Sequence, residues 1–289
     1  MTIPGLEGVN PTDVARRSVR EFGRDDMSTH AAALAYHVLF ALFPFLIFLI
    51  ALLSFLHIPR FFDWVLEEGE RALPADAYRP LRDVVDQIQG QSQGGLLSVG
   101  VLAAIWGASS GIRSLMNALN VAYDVEETRP LWKRYVLSIA YTIGLAALMI
   151  AAAALMLLGP EGMEWLADQV GLSQVVVTLW TWLRWPVLVL ILMLVAAIVY
   201  NVAPNVDQPF RFITPGAVVA VVIWVLAALG FSLYVSNFAN YSATYGSLGG
   251  VVILLFFFFI SSAVLLLGAE VNAEIRNERL GQTPAPVST

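Results

Sequence analysis

Cysteine is absent from the 289 residues, and histidine occurs only as His30, His37 and His57. The absence of cysteine excludes disulfide bonds, thiolate nucleophiles and cysteine-ligated metals. The sequence also lacks paired metal ligands of the HExxH type, a P-loop and a dinucleotide-binding fingerprint. We therefore predict a protein that is not an enzyme and that uses no cofactor and no metal.

Charge is scarce as well. Charged residues make up 13% of the chain, whereas an ordinary soluble domain carries about 25%. The net charge is -6, and such an acidic chain lacks the basic surface of nucleic-acid binders, so we expect no nucleic-acid partner. In contrast, 58% of the residues are hydrophobic and the mean hydropathy is +0.72. This composition predicts a chain surrounded by membrane lipids.

Apolar segments long enough to span a membrane recur along the chain. A spanning helix needs roughly 20 apolar residues, and residues 1–29 show no apolar core of a signal peptide before the first such run. We predict an all-α, polytopic membrane helix bundle with six transmembrane helices. The predicted spans are residues 31–56, 95–117, 136–158, 185–203, 212–236 and 247–270.

The distribution of basic residues predicts the orientation. Of the 16 lysines and arginines, 11 lie in or beside the N-terminus, the second and fourth loops and the C-terminal tail. Basic residues concentrate on the cytoplasmic side, so both termini are predicted to be cytoplasmic. The expected organisation is a cytoplasmic amphipathic segment at 1–30, a six-helix membrane domain at 31–270 and a cytoplasmic tail at 271–289.

Two extramembrane segments show helical patterns. The first outer loop, residues 57–94, places apolar residues at helical spacing on either side of Pro74, which predicts two short amphipathic helices that either cap the bundle or bind a partner. Near the N-terminus, Asn10 is the expected helix cap and Pro11 the first helical residue. The arginines of that helix are expected to rest on anionic lipid headgroups.

Five blocks of the sequence resemble a known family. They read AALAYHVLFALFPFLI, WGASSGIRSLMNALNVAYDVEETRP, TPGAVVAVVIWVLAALGFSLYV, NYSATYGSLGGVVILLFFFFISS and LLLGAEVNAEI. Their content and order are similar to those of the YihY/BrkB family of bacterial inner-membrane proteins, over about residues 20–277. The resemblance implies six helices in the inner membrane with cytoplasmic termini. Some family members carry a ribonuclease label, but this sequence offers no clustered metal ligands or phosphate-binding residues for that chemistry.

Polar residues gather near the predicted cytoplasmic ends of the spans. Polar groups at membrane depth are costly and are therefore functional candidates. We predict a cavity open to the cytoplasm, with Arg113 and Glu270 as an ion pair at its floor. The alternatives are that both charges reach the headgroups by snorkelling and that His37 serves helix packing. The predicted cavity residues are Tyr36, His37, Arg113, Asn117, Asn120, Asn201, Asp207 and Glu270.

Prolines and glycines mark candidate hinges or gates. Pro44 interrupts the first span, although proline and glycine are frequent in membrane helices generally. The uncharged run NYSATYGSLGG, residues 240–250, is predicted to be a tight outer turn with its tyrosines at the headgroup level. The candidate hinge or gate residues are Pro44, Pro204, Pro215, Tyr241, Tyr245 and Gly246.

Two functions are compatible with these patterns. The first is a transporter or lipid-handling protein that moves an amphipathic or polar solute through the polar cavity. The second is a non-transporting scaffold for envelope assembly. The expected partners are membrane lipids and a small-molecule or lipid substrate, and the pattern leaves a homo-oligomer open.

Overall fold

A computed structural model describes residues 10–55, 94–157, 174–237 and 242–281, together with Leu66, Arg82 and Met163. Within these residues the chain is all-helical, as predicted. Seven helices are present in this described part: α1 Pro11–Arg24, α2 Met27–Phe55, α3 Gly94–Ala122, α4 Leu131–Leu157, α5 Gln174–Val202, α6 Pro215–Asn237 and α7 Ser242–Arg279.

Each of the six predicted spans falls on one of the helices α2 to α7. Four helices are long and apolar enough to cross a membrane over their described residues. These stretches are Leu131–Ala152, Val175–Val202, Pro215–Val235 and Gly249–Arg279. In α2 a shorter apolar stretch, Met27–Leu42, meets the same criteria for composition but not for length. The amphipathic helices predicted in residues 57–94 lie outside the described residues.

The helices pack most tightly at one end of the bundle. This polar end, as we name it, is where α2, α4 and α6 begin and where α3, α5 and α7 end. Small residues allow the close approach: Ala31, Ala118, Ala217 and Ala269 are each fully buried. A Cβ atom added to Gly111 of α3 would lie 3.3 Å from Cβ of His37 in α2. The core of the described protein is therefore concentrated at the polar end.

Helix α1 packs against this end of the bundle. As predicted, Asn10 caps the helix, because its Oδ1 accepts a hydrogen bond from the backbone N–H of Thr12 at 3.2 Å, and Pro11 is the first helical residue. Val14 is buried against Val271 and Ile275 of α7. The amphipathic helix thus buries its apolar face against protein.

Helices α6 and α7 meet through two glycines. A Cβ atom added to Gly268 would lie 2.7 Å from the carbonyl oxygen of Gly216, so only glycine permits this backbone contact. Asn272 of α7 accepts a hydrogen bond from the N–H of Gly216 at 2.9 Å and donates one to the hydroxyl of Thr214 at 3.0 Å. Pro215 is the first residue of α6, where proline is well tolerated.

Several predicted boundaries differ from the structure. Helix α5 begins at Gln174 rather than near residue 185 and continues through Pro186, and α7 extends to Arg279. The predicted outer turn is largely wrong: α7 begins at Ser242, so Tyr245 and Gly246 are helical, while Tyr241 lies outside the described residues. Glycine is frequent in membrane helices, which explains why it was a poor turn signal here.

Away from the polar end, the helices α4 to α6 expose their side chains. None of residues 143–151 of α4, 178–192 of α5 or 221–235 of α6 is buried. The side chains involved are mainly leucine, valine and aromatic residues. In a membrane, lipid tails cover such surfaces without a free-energy penalty. A smaller buried cluster, Met163 and Val177, lies beyond this exposed zone at the opposite end of the bundle.

Candidate functional site

The structure divides the predicted cavity residues into separate groups instead of gathering them in one cavity. His37, Arg113 and Asn117 line one pocket, and Asn201 and Asp207 line another. The other three lie elsewhere. Asn120 belongs to a hydrogen-bond network between two loops, Glu270 is buried in α7, and Tyr36 is 53% exposed on the outside of α2.

The first pocket lies between α2, α3 and α4 and has a volume of about 340 Å³. We call it the Arg113 pocket. Its lining is polar on the α2 and α3 sides, whereas the α4 side combines an arginine with an aromatic and an aliphatic residue. The lining residues are His37, Ser110, Arg113, Ser114, Asn117, Leu131, Arg134 and Tyr135.

Arg113 is held in place from one side. Its Nη1 donates hydrogen bonds to the hydroxyls of Ser109 at 3.0 Å and Ser138 at 3.2 Å. The guanidinium carbon lies 4.4 Å from the centroid of the Tyr135 ring and 5.9 Å from that of Trp106, which are cation–π distances. Among the described residues, no carboxylate lies within 4.0 Å of Arg113.

The predicted ion pair between Arg113 and Glu270 is therefore wrong. Glu270 is only 1% exposed, and one carboxylate oxygen, Oε1, has no hydrogen-bond partner among the described residues. The charged groups that influence it most are acidic and include Asp25, Asp124 and Glu274. Arg113 and Glu270 lie at a similar distance from the polar end along their helices. Arg113 faces α4, however, whereas Glu270 lies near the acidic groups. Similar depth along the membrane normal therefore does not bring two residues into contact.

His37 lies in the Arg113 pocket, where its Nδ1 is 3.4 Å from the hydroxyl oxygen of Ser110. That hydroxyl donates a hydrogen bond to the carbonyl of Gly107 at 2.6 Å. The Tyr36 ring packs instead against Phe40, with 4.4 Å between the centroids. The pocket thus contains an imidazole and a guanidinium on adjacent helices, and Tyr36 takes no part in it.

A second group of residues connects the loops that follow α3 and α5. Arg129 donates two hydrogen bonds to the Glu127 carboxylate, both of 2.7 Å, and Asn120 donates one of 2.9 Å. Asn120 also accepts a hydrogen bond from the N–H of Asn205 at 2.7 Å. We name Asn120, Glu127, Arg129 and Asn205 the Glu127 clasp. The hydrogen bonds from Arg129, reinforced by the one from Asn120, lower the pKa of Glu127 to about 2 despite its partial burial.

Arg134 connects the Glu127 clasp to the Arg113 pocket, because it contacts residues of both. Nε of Arg134 lies 3.7 Å from the Glu127 carboxylate, and its Nη2 donates a hydrogen bond to Oδ1 of Asn117. Sequence reasoning identified Asn120 but missed Glu127, Arg129 and Arg134. The available signal was the charged run DVEETRP directly after the second span.

The second cavity lies between the loop after α5 and the end of α7 and has a volume of about 350 Å³. Asn201 mainly fixes this loop, because it donates to the carbonyls of Ala197 at 2.7 Å and Arg211 at 3.0 Å and accepts from the N–H of Arg211. Asp207 lines the cavity together with Arg276.

Two of the candidate hinge prolines can be placed by the backbone around them. Pro44 lies inside α2, and the helix continues through it to Phe55. Pro204 is buried in the loop after α5, next to the Glu127 clasp. A role of these residues in gating stays a prediction.

Comparison with known proteins identifies the family. The family described as virulence factor BrkB matches residues 18–288. The chain belongs to the BrkB family. This confirms the resemblance found in the sequence, and it confirms the assignment to membrane proteins.

Relatives of this BrkB-family chain carry different names. The chain is 40% identical over 249 residues to the putative ribonuclease-like protein YfkH of Bacillus subtilis, covering 86% of this chain and 90% of YfkH. It is 28% identical over 260 residues to a UPF0761 membrane protein of Stenotrophomonas maltophilia. That match covers 87% of this chain but only 58% of the relative's length. No solved structure matches the chain.

Proposed function

We propose that this BrkB-family chain is a bacterial inner-membrane protein with six transmembrane helices and cytoplasmic termini, and that it moves or handles an amphipathic or polar solute. In this proposal the Arg113 pocket receives the solute, and the protein carries out no chemical reaction. The polar end of the bundle faces the cytoplasm.

The observation that carries the proposal is an arginine without a carboxylate partner in a pocket between three helices. A charged side chain within a membrane span is costly. Charged residues at such positions usually face the bundle interior or a water-filled cavity, where they act on a solute. Arg113 has neutral hydroxyl and aromatic partners only among the described residues. A purely structural arginine is expected to be neutralised by an acid, whereas a binding residue keeps its charge available.

The shape of the described bundle supports a solute with an apolar part. In helices α4 to α6 most of the buried side chains lie near the polar end, and most of the side chains beyond it are exposed or half-buried. Leu131 and Tyr135 both line the Arg113 pocket and are 70% and 40% exposed. The pocket is therefore bordered by surface that suits lipid tails.

The proposal of six spans rests on helix length. Helices α2 and α3 each contain 29 residues, which corresponds to about 44 Å at 1.5 Å per residue. This length exceeds a hydrocarbon core of about 30 Å. Basic residues at the polar end, including Arg20, Arg129 and Lys133, agree with a cytoplasmic location.

Reconstitution in liposomes tests the transport function. Purified protein is assayed for movement of labelled lipids and candidate polar solutes, with Arg113→Ala as the test variant. Arg184→Ala is the matched control, because Arg184 is a helical arginine that lies over the Trp185 ring at 5.2 Å and does not line the pocket. We expect Arg113→Ala to reduce movement at least tenfold and Arg184→Ala to retain it. Equal activity of the two variants contradicts the proposal, and a wild-type protein that moves nothing supports the scaffold function instead.

Single cysteines test the topology, since the native chain contains none. Gln91→Cys lies in the predicted outer loop, and Lys133→Cys replaces an exposed residue at the polar end. A membrane-impermeant maleimide is expected to label Gln91→Cys in intact spheroplasts and Lys133→Cys only after permeabilisation. The reverse pattern contradicts the proposed orientation.

A further inference from the structure

The charges around the Arg113 pocket do not balance. Arg113 and Arg134 line the pocket and Arg129 lies beside it in the clasp, whereas Glu127 is the one carboxylate within 4.0 Å of any of them among the described residues. Both oxygens of Glu127 accept hydrogen bonds from Arg129. The local surplus of positive charge therefore resides mainly on Arg113 and Arg134, and an anion is the ligand that neutralises it.

The geometry of Arg113 leaves donors available to such an anion. Its hydrogen bonds to Ser109 and Ser138 both use Nη1, so Nε and Nη2 have no hydrogen-bond partner in the described structure. A guanidinium binds phosphate or carboxylate oxygens through two parallel N–H groups, and prior orientation reduces the entropy lost on binding. The Tyr135 ring and the two serine hydroxyls provide that orientation.

Arg134 approaches the pocket from a different helix. It is tethered by Asn117 of α3 and lies 3.7 Å from Glu127. An anion between Arg113 and Arg134 is contacted from both α3 and α4. A tetrahedral phosphoryl group presents oxygens in several directions and so suits donors from two helices better than a planar carboxylate does.

Apolar and aromatic surface adjoins these cations. Leu131 lines the pocket and is 70% exposed. Trp106 is 64% exposed, and its ring lies 6.3 Å from that of Tyr135. Indole rings favour the boundary between headgroups and acyl chains. The pocket therefore lies beside surface that is suited to the apolar part of a lipid.

We propose that the Arg113 pocket binds the phosphoryl group of an anionic lipid headgroup between Arg113 and Arg134, with the lipid's apolar part along Leu131 and Trp106. This assignment rests on the proposed function and names its substrate class. A free phosphate shares the headgroup chemistry but gains nothing from the apolar border. The two sources therefore differ in affinity.

Equilibrium binding to the full chain in a phosphate-free nonionic detergent tests the assignment. The probes are short-chain phosphatidic acid, short-chain phosphatidylcholine and inorganic phosphate, and isothermal titration calorimetry measures the Kd. We expect phosphatidic acid to bind at least tenfold more tightly than the other two, because the choline cation is repelled by the arginines and inorganic phosphate lacks apolar contacts. Inorganic phosphate binding as tightly as phosphatidic acid overturns the assignment to a lipid.

Variants locate the site. Arg113→Ala is expected to weaken phosphatidic acid binding at least tenfold, Arg113→Lys to recover part of the affinity, and Arg184→Ala to leave it within twofold of wild type. Circular dichroism and gel filtration check that each variant is folded, and Arg113→Gln replaces the alanine variant if that one does not fold. Wild-type affinity in a folded Arg113 variant overturns the proposal.

The binding assay separates this inference from the proposed function, because it does not require transport. If Arg113→Ala loses transport but binds phosphatidic acid normally, the headgroup assignment is wrong and the transport function stands. If the wild-type protein binds phosphatidic acid through Arg113 but moves no lipid or solute, the headgroup site stands and the transport function is wrong.

Discussion

Nε of Arg17 in α1 lies 2.9 Å from Oε2 of Glu274 in α7. The contact is an ion pair without hydrogen-bond geometry, and Nη2 of Arg17 additionally donates a hydrogen bond to Glu278. The prediction that the arginines of α1 rest on lipid headgroups is therefore wrong for Arg17. Arg16 and Arg20 are exposed, and for them contact with headgroups stays a prediction.

Arg17→Ala is expected to destabilise the attachment of α1. The Glu274 side chain is 5% exposed, and its carboxylate would keep no cationic partner among the described residues. Loss of one partner of a buried ion pair costs about 3–5 kcal/mol, and the partial exposure of Arg17 lowers our expectation to about 1–3 kcal/mol. Thermal unfolding in detergent, followed by tryptophan fluorescence, measures the loss.

Arg16→Ala is the matched control for Arg17→Ala, because it removes the same charge from an exposed neighbour on the same helix. We expect little change in the melting temperature. The double variant Arg17→Ala/Glu274→Gln is expected to recover part of the stability. Equal effects of the two single variants would show that the ion pair does not hold α1 on α7.

Glu127→Gln is expected to loosen the Glu127 clasp in a pH-dependent way. The pKa of Glu127 is lowered from 4.5 to about 2 in the folded protein. Because the folded value is the lower one, the charged carboxylate stabilises the fold fully above about pH 4.5, and this contribution disappears as the pH falls through 2. Wild type should therefore melt at a higher temperature than Glu127→Gln at pH 6, with a difference that shrinks between pH 4.5 and 2.

Glu126→Gln provides the control, since Glu126 is exposed and only its backbone carbonyl joins the loop contacts. The wild-type and Glu126→Gln proteins should melt alike throughout this pH range. A difference between wild type and Glu127→Gln that persists unchanged at pH 2 contradicts the assignment of the low pKa to the clasp.

Gly268→Ala is expected to separate α6 from α7. The new methyl group would lie 2.7 Å from the Gly216 carbonyl oxygen and 2.8 Å from Cβ of Ala220, and overpacking of this kind costs about 1–3 kcal/mol. Gly230→Ala is the control, because a Cβ atom there meets nothing within 4 Å. Melting temperatures in detergent should fall for Gly268→Ala only, and a neutral Gly268→Ala would mean that the helices are not in backbone contact.

Ser138→Ala is expected to weaken the orientation of Arg113. Its hydroxyl accepts the 3.2 Å hydrogen bond from Arg113, and a hydrogen bond to a charged group contributes about 1.5–3 kcal/mol at most. We expect phosphatidic acid to bind about threefold to tenfold more weakly. Thr142→Val is the control, because that buried hydroxyl donates only to the carbonyl of Ser138 in its own helix. Equal Kd values for wild type and Ser138→Ala would exclude the positioning role.

The sequence predicted the helices well because apolar length is a local property. The cap at Asn10 and the first helical residue at Pro11 depend on neighbouring residues alone, and both are confirmed. The early start of α5 was not predicted. Three tryptophans lie in its first turns before Pro186, and aromatic residues of this kind are frequent at the membrane interface, where a chain can equally be helical.

The candidate site was only partly predictable. His37, Arg113 and Asn117 were expected together and do share a pocket. The pairing of Arg113 with Glu270 failed because sequence gives the depth of a residue along a helix but not its rotation about the helix axis. Glu127 was missed because its partners Asn120 and Arg129, although close in sequence, are brought onto its carboxylate by a turn that the residue pattern does not specify.

The contact between Gly216 and Gly268 also determines how the bundle can move. Backbones that touch cannot slide past each other without a clash, so α6 and α7 are joined through their backbones at the polar end. Farther along, only side chains join the described parts of the two helices: Trp224 donates a 3.0 Å hydrogen bond to Ser261, and the ring centroids of Phe231 and Phe257 lie 5.0 Å apart. Helix α6 has 23 residues and is therefore about 34 Å long. A tilt of about 10° around this fulcrum displaces its far end by about 6 Å while leaving the fulcrum in place. Such a tilt opens the bundle towards the opposite leaflet. The polar end, which we propose faces the cytoplasm, stays packed.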